Sequence, residues 1–575
     1  MAGERERSAL WSRFQPRLGR VLAQGYGRQD FAADLSSGLT VGLIALPLAL
    51  ALGIASVPAG AETPHPAPAL GLFTAIIAGF VISALGGSRV QIGGPTAAFV
   101  PIVLLVIERH GYGGLLLATM MAGVILVIMG LTKMGSLIKY IPWPVTCGFT
   151  TGIAVSLIAS QSAEFLGIRA GEPPPREFLE RLHWLALHFS QLHWPTLLLA
   201  VSCLLLIWHW PKLGLKRVPG SIIAMLAATV LVAAMSWQET LGLATIGSRF
   251  GSEAIPHGLP PLRWPDFEWG SIRDLFGSAT AIALLGAIES LLSAVVADGL
   301  TNDRHDSNTE LVAQGLANLL CPFFGGLPAT GAIARTSANV QNGASSPVSG
   351  MIHALTLLAI VLLFAKWAAH VPLAAMSAVL VFVALRMGEW HELRRLRSMP
   401  ASDAAVLLTT FILTVLFDLV VAVEVGMVLA AMLFIKRVSD TTEVSRVMES
   451  DALETPEQLA AGKTIPEGVL VYRIFGPFLF GAAEKMEDAI ESLESMPKVL
   501  VLRLHLVTAM DATALNALQS VVERFQNHGG SVILSGLHHQ PLAVLRKAGF
   551  IEIIGRENLV ATFDDALTRV KVLMA

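Results

Sequence analysis

Fourteen apolar segments fill most of the first 437 residues and restrict the possible folds more than any other feature. They lie near residues 35–56, 69–86, 95–108, 113–132, 141–162, 194–210, 219–236, 274–297, 309–321, 329–342, 346–365, 372–387, 403–418 and 420–436. Only 14% of all residues are charged, against about 25% in soluble proteins. The sequence therefore predicts a polytopic α-helical membrane protein.

The fourteen segments form two sets of seven, and the third member of each set is short. In the second set, Gly325, Gly326 and Pro328 precede the stretch Ala329–Val340, a predicted helix of about 12 residues that rises about 18 Å against a hydrocarbon core of about 30 Å. GGPTAAFVP, residues 93–101, occupies the matching place in the first set. Short segments interrupted by Gly and Pro at equivalent places predict inverted repeats and a binding site. Two helix amino ends that meet would suit an anion, because both present free N–H groups.

The charge outside the apolar segments predicts the orientation and the domains. The Arg-rich residues 1–34 are expected on the cytoplasmic side, and an even number of spans returns the chain to that side. Residues 438–466 are polar and acidic, which predicts a linker or a helical stalk. In residues 467–575 strand-like and helical runs alternate, which predicts a small α/β domain. We expect the transmembrane domain to cover residues 35–437.

Glu289 lies within the eighth apolar segment. An ionisable side chain at membrane depth is costly and is by default a functional candidate. Ser293 is four residues further on and so lies on the same helix face, while Arg335 falls one to two turns inside the second short helix. Two interpretations stay open. Glu289 takes up a coupling proton or contacts the substrate, or it pairs with Arg335 and holds two helices together.

Several other polar residues are expected to have structural roles. Asp298, Asp303 and His305 follow the eighth segment and are expected in a solvated turn. Ser307 and Glu310 have the spacing of a capping box that opens the ninth span. These residues are therefore not predicted to form a metal or proton site.

The sequence shows no arrangement typical of an enzyme or a metalloprotein. No nucleophile–base pair is recognisable, and the three cysteines lack the spacing of zinc or redox motifs. His353, in the eleventh segment, is expected to be a hydrogen-bonded core histidine. We expect no catalytic residue, metal, cofactor or nucleic-acid partner.

Four longer stretches of the sequence are GLTVGLIALPLALALG, GGSRVQIGGPTAAFV, LGAIESLLSAVVADG and FFGGLPATGAIARTSANVQNGASSPVSG. They resemble the SulP family of anion transporters, the bacterial relatives of animal sulfate permeases, pendrin and prestin. The resemblance runs from residue 34 to the end. Within the family the chain resembles a bacterial transporter of four-carbon dicarboxylates. The resemblance implies a core domain (spans one to four and eight to eleven) that moves against a gate domain in elevator-like alternating access. It also implies a homodimer and a C-terminal STAS domain.

The resemblance further implies which residues bind the substrate. Family members bind the anion between the third and tenth spans, which here corresponds to Pro95, Thr96 and Ala97 facing Ile333, Ala334 and Arg335. Pro47 and Leu48 of the first span would flank this site. Leu48 stands where many animal members have Gln, so this wall is more apolar, which suits an organic anion. Sodium-coupled bicarbonate members carry Asp and then Thr in the eighth span, where this chain has Glu289 and Ser293. That difference favours protons as the coupling ion.

The sequence and the resemblance together predict a secondary active transporter in the bacterial inner membrane that takes up C4-dicarboxylates, such as succinate or fumarate, with protons. Its N-terminus and STAS domain are expected in the cytoplasm. Sulfate is the alternative substrate, followed by bicarbonate. An anion channel or voltage-responsive motor, and a membrane signalling platform acting through the STAS domain, are alternatives of other classes. Acyl carrier protein is a partner that only the resemblance suggests.

Overall fold

A computed structural model describes residues 14–58, 60–136, 142–170, 174–175, 177–213, 220–251, 255, 258, 261–265, 272–417, 419–446, 465–491 and 496–575. The chain divides into two compact units, Met1–Met427 and Val428–Ala575. Residues 1–13 of the predicted N-terminal segment and 447–464 of the predicted linker lie outside the described residues.

The first set of predicted apolar segments coincides, within a few residues, with helices. In chain order the elements are α1 (Arg17–Gly25), α2 (Arg28–Ser56), α3 (Ala67–Leu85), β1 (Gly93–Gly94), α4 (Val100–Leu131), α5 (Trp143–Leu166), α6 (Phe178–Leu187), α7 (Trp194–His209), α8 (Gly220–Ala234), α9 (Trp237–Thr240) and α10 (Ile246–Phe250). Helix α4 contains both the third and the fourth predicted segments. They are separated at Gly111, whose φ of 69° breaks the helical backbone.

The second set follows in the same order. Its elements are α11 (Ile272–Thr301), α12 (Ser307–Leu320), β2 (Thr330–Gly331), α13 (Ile333–Gln341), α14 (Val348–Ala368), α15 (Leu373–Met387), α16 (Trp390–Arg395), α17 (Ala401–Leu416) and α18 (Leu419–Thr441). By length and composition, seven of the described helices are long and apolar enough to cross a bilayer, and α15 with the bent segment after it adds an eighth. Helices α8 and α17 are apolar but shorter. The predicted α-helical membrane protein with many apolar helices is confirmed.

The helices of the first unit pack as two groups. In one group, α12 and α11 pack on α4, while α14 packs on α2 and α3. In the other, α15 and α17 pack on α5, and α15 also packs on α7, which contacts α8. We define two groups by these contacts. The core group is α2, α3, α4, α11, α12, α13 and α14, and the gate group is α5, α7, α8, α15 and α17. The two groups match the core and gate spans that the family resemblance implies.

The second unit is an α/β domain. Its sheet has the order β3-β4-β5-β6-β7, formed by β3 (Glu443–Arg446), β4 (Val469–Phe475), β5 (Val499–Leu506), β6 (Ser531–Ser535) and β7 (Leu559–Val560). Strand β3 is antiparallel to β4, and the other neighbours are parallel. Its helices are α19 (Phe480–Glu491), α20 (Ala512–Asn527), α21 (His539–Lys547), α22 (Phe550–Ile554) and α23 (Phe563–Met574). Side chains of β5 alternate between the two apolar layers on the faces of the sheet.

Candidate functional site

The two interrupted segments meet in a short antiparallel ladder in the middle of the core group. Gly93 pairs with Gly331, and Gly94 pairs with Thr330. Gly94 has a φ of 143°, and a Cβ atom added there would lie 2.7 Å from Nη1 of Arg335. The positive φ favours glycine at this position, and any larger residue would also have to displace the guanidinium. Helix α13 and the part of α4 before Gly111 are the two half-helices. Both start just beyond the ladder, so their amino ends meet at one place, which we call the crossing.

Side chains of neighbouring helices satisfy the non-helical backbone that leads into β2. The N–H of Leu327 donates to Oγ1 of Thr74 on α3, at 2.6 Å. Asn318 of α12 accepts from the N–H of Ala329 at 2.9 Å and donates to its carbonyl oxygen at 2.8 Å. Irregular backbone at membrane depth is tolerated only where it is satisfied in this way. The crossing is therefore a fixed part of the fold.

Each half-helix begins with backbone amides that no side chain caps. Helix α13 has Ala332 as its N-cap, with no side-chain hydrogen bond. The first N–H groups of a helix have no carbonyl partner inside it, and here they belong to Ile333, Ala334 and Arg335. On the other half-helix, Thr96 is extended and precedes a 3₁₀ turn at Ala97–Phe99. Ile333 and Ala334 are exposed, so an anion can reach the amino end of α13.

Glu289 and Thr96 touch directly. Oγ1 of Thr96 donates a hydrogen bond of 2.9 Å to Oε2 of Glu289. Both side chains are half-buried. The structure thus joins the residue predicted for ion coupling to a residue predicted for substrate binding.

Arg335 is buried, only 3% exposed, and its guanidinium donates to the carbonyl oxygen of Pro95. This bond links the start of α13 to the segment before α4. Among the described residues, no ion pair within 4.0 Å joins Arg335 to Glu289, although the two charges interact electrostatically. Arg335 therefore holds the crossing together and places a positive charge beside it.

The other predicted residues surround this site in different roles. Ser293 is buried, and its hydroxyl is 3.0 Å from Oγ1 of Thr336 on α13. Thr336 also accepts the N–H of Ile92 at 3.1 Å, so Ser293 belongs to the packing between α11 and α13. Pro47 is buried within α2. Leu48 is half-buried and packs on the apolar cluster that contains Ala97, which leaves an apolar wall on that side.

The predicted capping box at the start of α12 is wrong. The N-cap is Asp306, whose carboxylate accepts the N–H groups of Asn308 and Thr309, both at 3.1 Å. Glu310 is fully buried, and Ser307 does not cap the helix. A local spacing suggested the wrong residue because the carboxylate of Glu310 is used by a distant part of the chain.

Glu310 is a buried carboxylate whose role the sequence reasoning missed. Its Oε2 accepts the N–H groups of Gly87 at 2.9 Å and of Ser88 at 3.1 Å. Its Oε1 accepts from the side-chain amide of Gln314 at 2.9 Å and lies 3.4 Å from the hydroxyl of Ser290. These donors fix the loop between α3 and β1 on α12. No motif in the sequence signals the pairing with Gly87 and Ser88, because both are more than 200 residues away along the chain.

The turn after α11 is only partly solvated, because polar side-chain contacts tie it to the end of α11 and to α1. Nδ1 of His305 is 2.7 Å from Oδ2 of Asp298, and Asp303 forms an ion pair with Arg17 of α1. Burial alone would raise the pKa of Asp303, but the N–H of Arg304 and the guanidinium of Arg17 hold it below its usual value. The network attaches α1 to the core group.

Two further buried polar groups differ from expectation. His353 is buried as predicted, but neither of its ring nitrogens has a hydrogen-bond partner within the described part of the chain. Asp34 received no role from the sequence, yet it is buried and accepts the N–H groups of Ser345 at 2.7 Å and Ser346 at 3.0 Å. The phenol of Tyr26 also donates to Asp34, at 2.9 Å. Asp34 therefore fixes α2 to the loop before α14.

A cavity of about 520 Å³ lies away from the crossing. Its lining includes Glu62, His65, Tyr112, Arg263 and Trp264, and none of the predicted substrate residues lines it. Burial and the neighbouring Arg263 lower the pKa of His65. The described residues contain no group of three or more His, Cys, Asp or Glu side chains placed to hold a metal ion.

The sequence model of the Sulfate permease family matches residues 31–410. The chain belongs to the sulfate permease family. The STAS domain model matches residues 461–566, which confirms the predicted C-terminal domain. The family consists of membrane anion transporters. The relatives that this chain matches are named as transporters and not as enzymes.

Relatives and solved structures agree with this family. The chain is 41% identical to the putative sulfate transporter YvdB of Bacillus subtilis, covering 94% of this chain and 98% of that protein. It is 31% identical to the bicarbonate transporter BicA of Picosynechococcus, covering 94% of each. The transmembrane domain of a cyanobacterial BicA superposes with a TM-score of 0.60 at 31% identity, covering 71% of this chain and 98% of that one. Murine Slc26a9 superposes with a TM-score of 0.83 at 16% identity, covering 97% of this chain and 94% of that one, which shows a shared fold.

Proposed function

We propose that this sulfate permease family protein takes up a small anion together with a proton, by secondary active transport across a bacterial inner membrane. The observation that carries the proposal is the 2.9 Å hydrogen bond from Thr96 to Glu289. It connects an ionisable side chain at membrane depth to the amino end of a half-helix, where an anion would bind. A change of protonation at Glu289 therefore acts on the anion site itself.

The charges around the crossing support this coupling. Arg335 contributes one positive charge, and each helix amino end adds the equivalent of roughly half a charge. An ionised Glu289 offsets part of this positive potential, whereas a protonated Glu289 leaves it intact. The anion is thus expected to bind better when Glu289 carries a proton, which is the requirement for symport.

Two substrate classes fit the site, and different observations support each. The apolar wall at Leu48 and the exposed Ile333 suit the carbon chain of a C4-dicarboxylate such as succinate or fumarate, the predicted substrate. Inorganic oxyanions are supported by the relatives, since one is named as a putative sulfate transporter and another as a bicarbonate transporter. Sulfate is a dianion like succinate and meets the same charge requirement.

The location of the site supports elevator-like alternating access. Thr96, Glu289 and Arg335 lie just before α4, on α11 and on α13, and all three elements belong to the core group. A movement of the core group against the gate group would carry the whole site across the membrane without taking it apart.

We further propose that the protein is a homodimer, with the N-terminus and the STAS domain in the cytoplasm. Acyl carrier protein is a candidate partner of the STAS domain.

Uptake by the purified full-length protein in liposomes tests the proposal. Radiolabelled succinate, sulfate and bicarbonate are compared with an acidic outside and with equal pH on both sides. We expect one of these anions to accumulate above its equilibrium level only with the acidic outside, and a protonophore to abolish that accumulation. The same anion, unlabelled, should compete best. Equilibration without accumulation under every gradient would instead indicate a channel.

A chain that lacks residues 442–575 separates transport from a signalling role. The residues of the proposed site all belong to the first unit, so the truncated protein should keep the same order of preference among the three anions. Its rate or its expression level is expected to change. Loss of all anion binding in a well-folded truncated protein would contradict a merely modulatory STAS domain.

A further inference from the structure

The hydrogen bond between Thr96 and Glu289 has a direction that depends on one proton. A threonine hydroxyl has one proton to donate and two lone pairs that accept. An ionised carboxylate can only accept. When Glu289 is ionised, the distance of 2.9 Å therefore means that Thr96 donates to Glu289. The hydroxyl then has only lone pairs left for anything else, and lone pairs repel an anion.

A protonated Glu289 reverses this arrangement. The carboxylic acid has its own O–H, which can donate to Oγ1 of Thr96 across the same distance. The hydroxyl proton of Thr96 is then free to rotate toward the half-exposed side of the residue. Thr96 is the N-cap residue of the 3₁₀ turn at Ala97–Phe99, directly before α4, so a freed donor would add to the backbone amides at this amino end.

We propose that Thr96 is the switch that passes the protonation state of Glu289 to the bound anion. One proton taken from solvent by Glu289 adds one hydrogen-bond donor to the anion site, and its release removes that donor. This inference rests on the proposed function, in which Glu289 takes up the coupling proton. It adds the residue through which the proton changes the affinity for the anion.

The other charged and titratable groups near Glu289 are engaged elsewhere, so Thr96 is the partner that can respond to its proton. From α13, Arg335 interacts with Glu289 through its charge, but its guanidinium donates to Pro95. From α12, Glu310 is turned to the amides of Gly87 and Ser88. His353 of α14 interacts electrostatically with Arg335. Within the described residues, Thr96 is the side chain that hydrogen-bonds to Glu289.

The test measures anion affinity as a function of pH in the full-length protein, with radiolabelled sulfate and radiolabelled succinate run in parallel. Thr96→Val keeps the shape of the side chain but removes the hydroxyl, and Thr96→Ser restores it. Thr119→Val removes a buried threonine hydroxyl that donates to Leu115 within α4, and serves as the matched control. Affinities are compared at about pH 5.5 and about pH 8.5, on either side of neutrality.

We expect Thr96→Val to weaken binding about 10-fold at the acidic pH, the effect of losing one hydrogen bond to a charged ligand. At the alkaline pH its affinity should stay within about twofold of wild type, because the hydroxyl is then engaged by Glu289. Thr96→Ser and Thr119→Val should follow the wild type at both values. The pH dependence of binding should therefore flatten in the valine variant alone.

Two other outcomes overturn the inference in distinguishable ways. If Thr96→Val weakens binding equally at both pH values, or at neither, while the wild type stays pH-dependent, Thr96 is not the switch and the proposed function still holds. If the affinity of the wild type does not change with pH, proton coupling itself is contradicted, and the switch with it.

Discussion

Glu289 on α11 and Glu310 on α12 are carboxylates of adjacent helices in the core group, and their surroundings differ. Glu310 is fully buried and accepts two backbone amides and the side chain of Gln314. Glu289 is half-buried and accepts from Thr96. One carboxylate therefore has its acceptor capacity largely filled by fixed donors, while the other has a single donor that can rotate.

The difference distinguishes a structural carboxylate at membrane depth from one that can take up and release a proton. A buried acceptor that satisfies backbone amides stabilises the fold, and its loss leaves those amides unpaired. A carboxylate with spare lone pairs, partial exposure and a hydroxyl neighbour can gain or lose a proton without breaking the backbone around it. Membrane depth alone would have placed both residues in the functional class.

The largest expected effect is the loss of stability in Glu310→Ala. This change leaves the N–H groups of Gly87 and Ser88 without their acceptor, at about 1–3 kcal/mol for each. Glu289→Ala removes no acceptor of a backbone amide and is the matched control. Thermal unfolding in detergent should show a strongly lowered midpoint for Glu310→Ala and a midpoint near wild type for Glu289→Ala. Equal midpoints for the two variants would show that the bonds from Gly87 and Ser88 to Glu310 do not stabilise the fold more than the contacts of Glu289 do.

The next effect concerns anion affinity and Arg335. Arg335→Ala removes the positive charge at the crossing and the bond to Pro95, so binding should weaken by about 10- to 150-fold. Arg335→Lys keeps the charge but cannot reproduce the geometry of the guanidinium, so it should recover part of the affinity. Equilibrium binding of the transported anion checks both variants. Unchanged affinity and an unchanged pH profile in Arg335→Ala would exclude this arginine from both substrate binding and coupling.

The smallest effect is expected at Asp303, a third carboxylate at the edge of the core group. Its pKa is lowered in the folded protein, so its stabilising effect is present above the ordinary value of 3.8 and is lost as the pH falls through the folded pKa. Because its side chain is 23% exposed, Asp303→Asn should cost about 1 kcal/mol or less at neutral pH. Unfolding curves at neutral pH and near the ordinary pKa test this. A larger loss at the acidic pH would reverse the predicted sign.

Much of this fold could be predicted from the sequence, because its helices are long apolar runs. The two interrupted segments were also predictable, since Gly93, Gly94 and Pro328 cannot continue a helix at that depth. The same local signals predict that Glu289 and Arg335 lie near one crossing, whereas Thr96 was assigned to the site by the family resemblance. These features depend on composition and on short motifs, which a single sequence contains in full.

The rest depended on contacts between distant parts of the chain. The partners of Glu310 lie in the loop before β1, and those of Asp34 lie before α14. Strand β3 falls in a stretch whose polar composition predicts a linker, and it exists because β4 offers a free edge for pairing. Such partnerships have no local periodicity, so a sequence without aligned relatives cannot indicate them.

If Glu289 carries the coupling proton, Glu289→Gln should uncouple transport from the proton gradient. Glutamine keeps the shape of a protonated glutamate and can still donate to Thr96, but it cannot release a proton. In liposomes with an acidic outside, we predict that the variant no longer accumulates the anion, while exchange of labelled for unlabelled anion continues at least in part. Accumulation by Glu289→Gln with the pH dependence of the wild type would show that Glu289 does not carry the coupling proton.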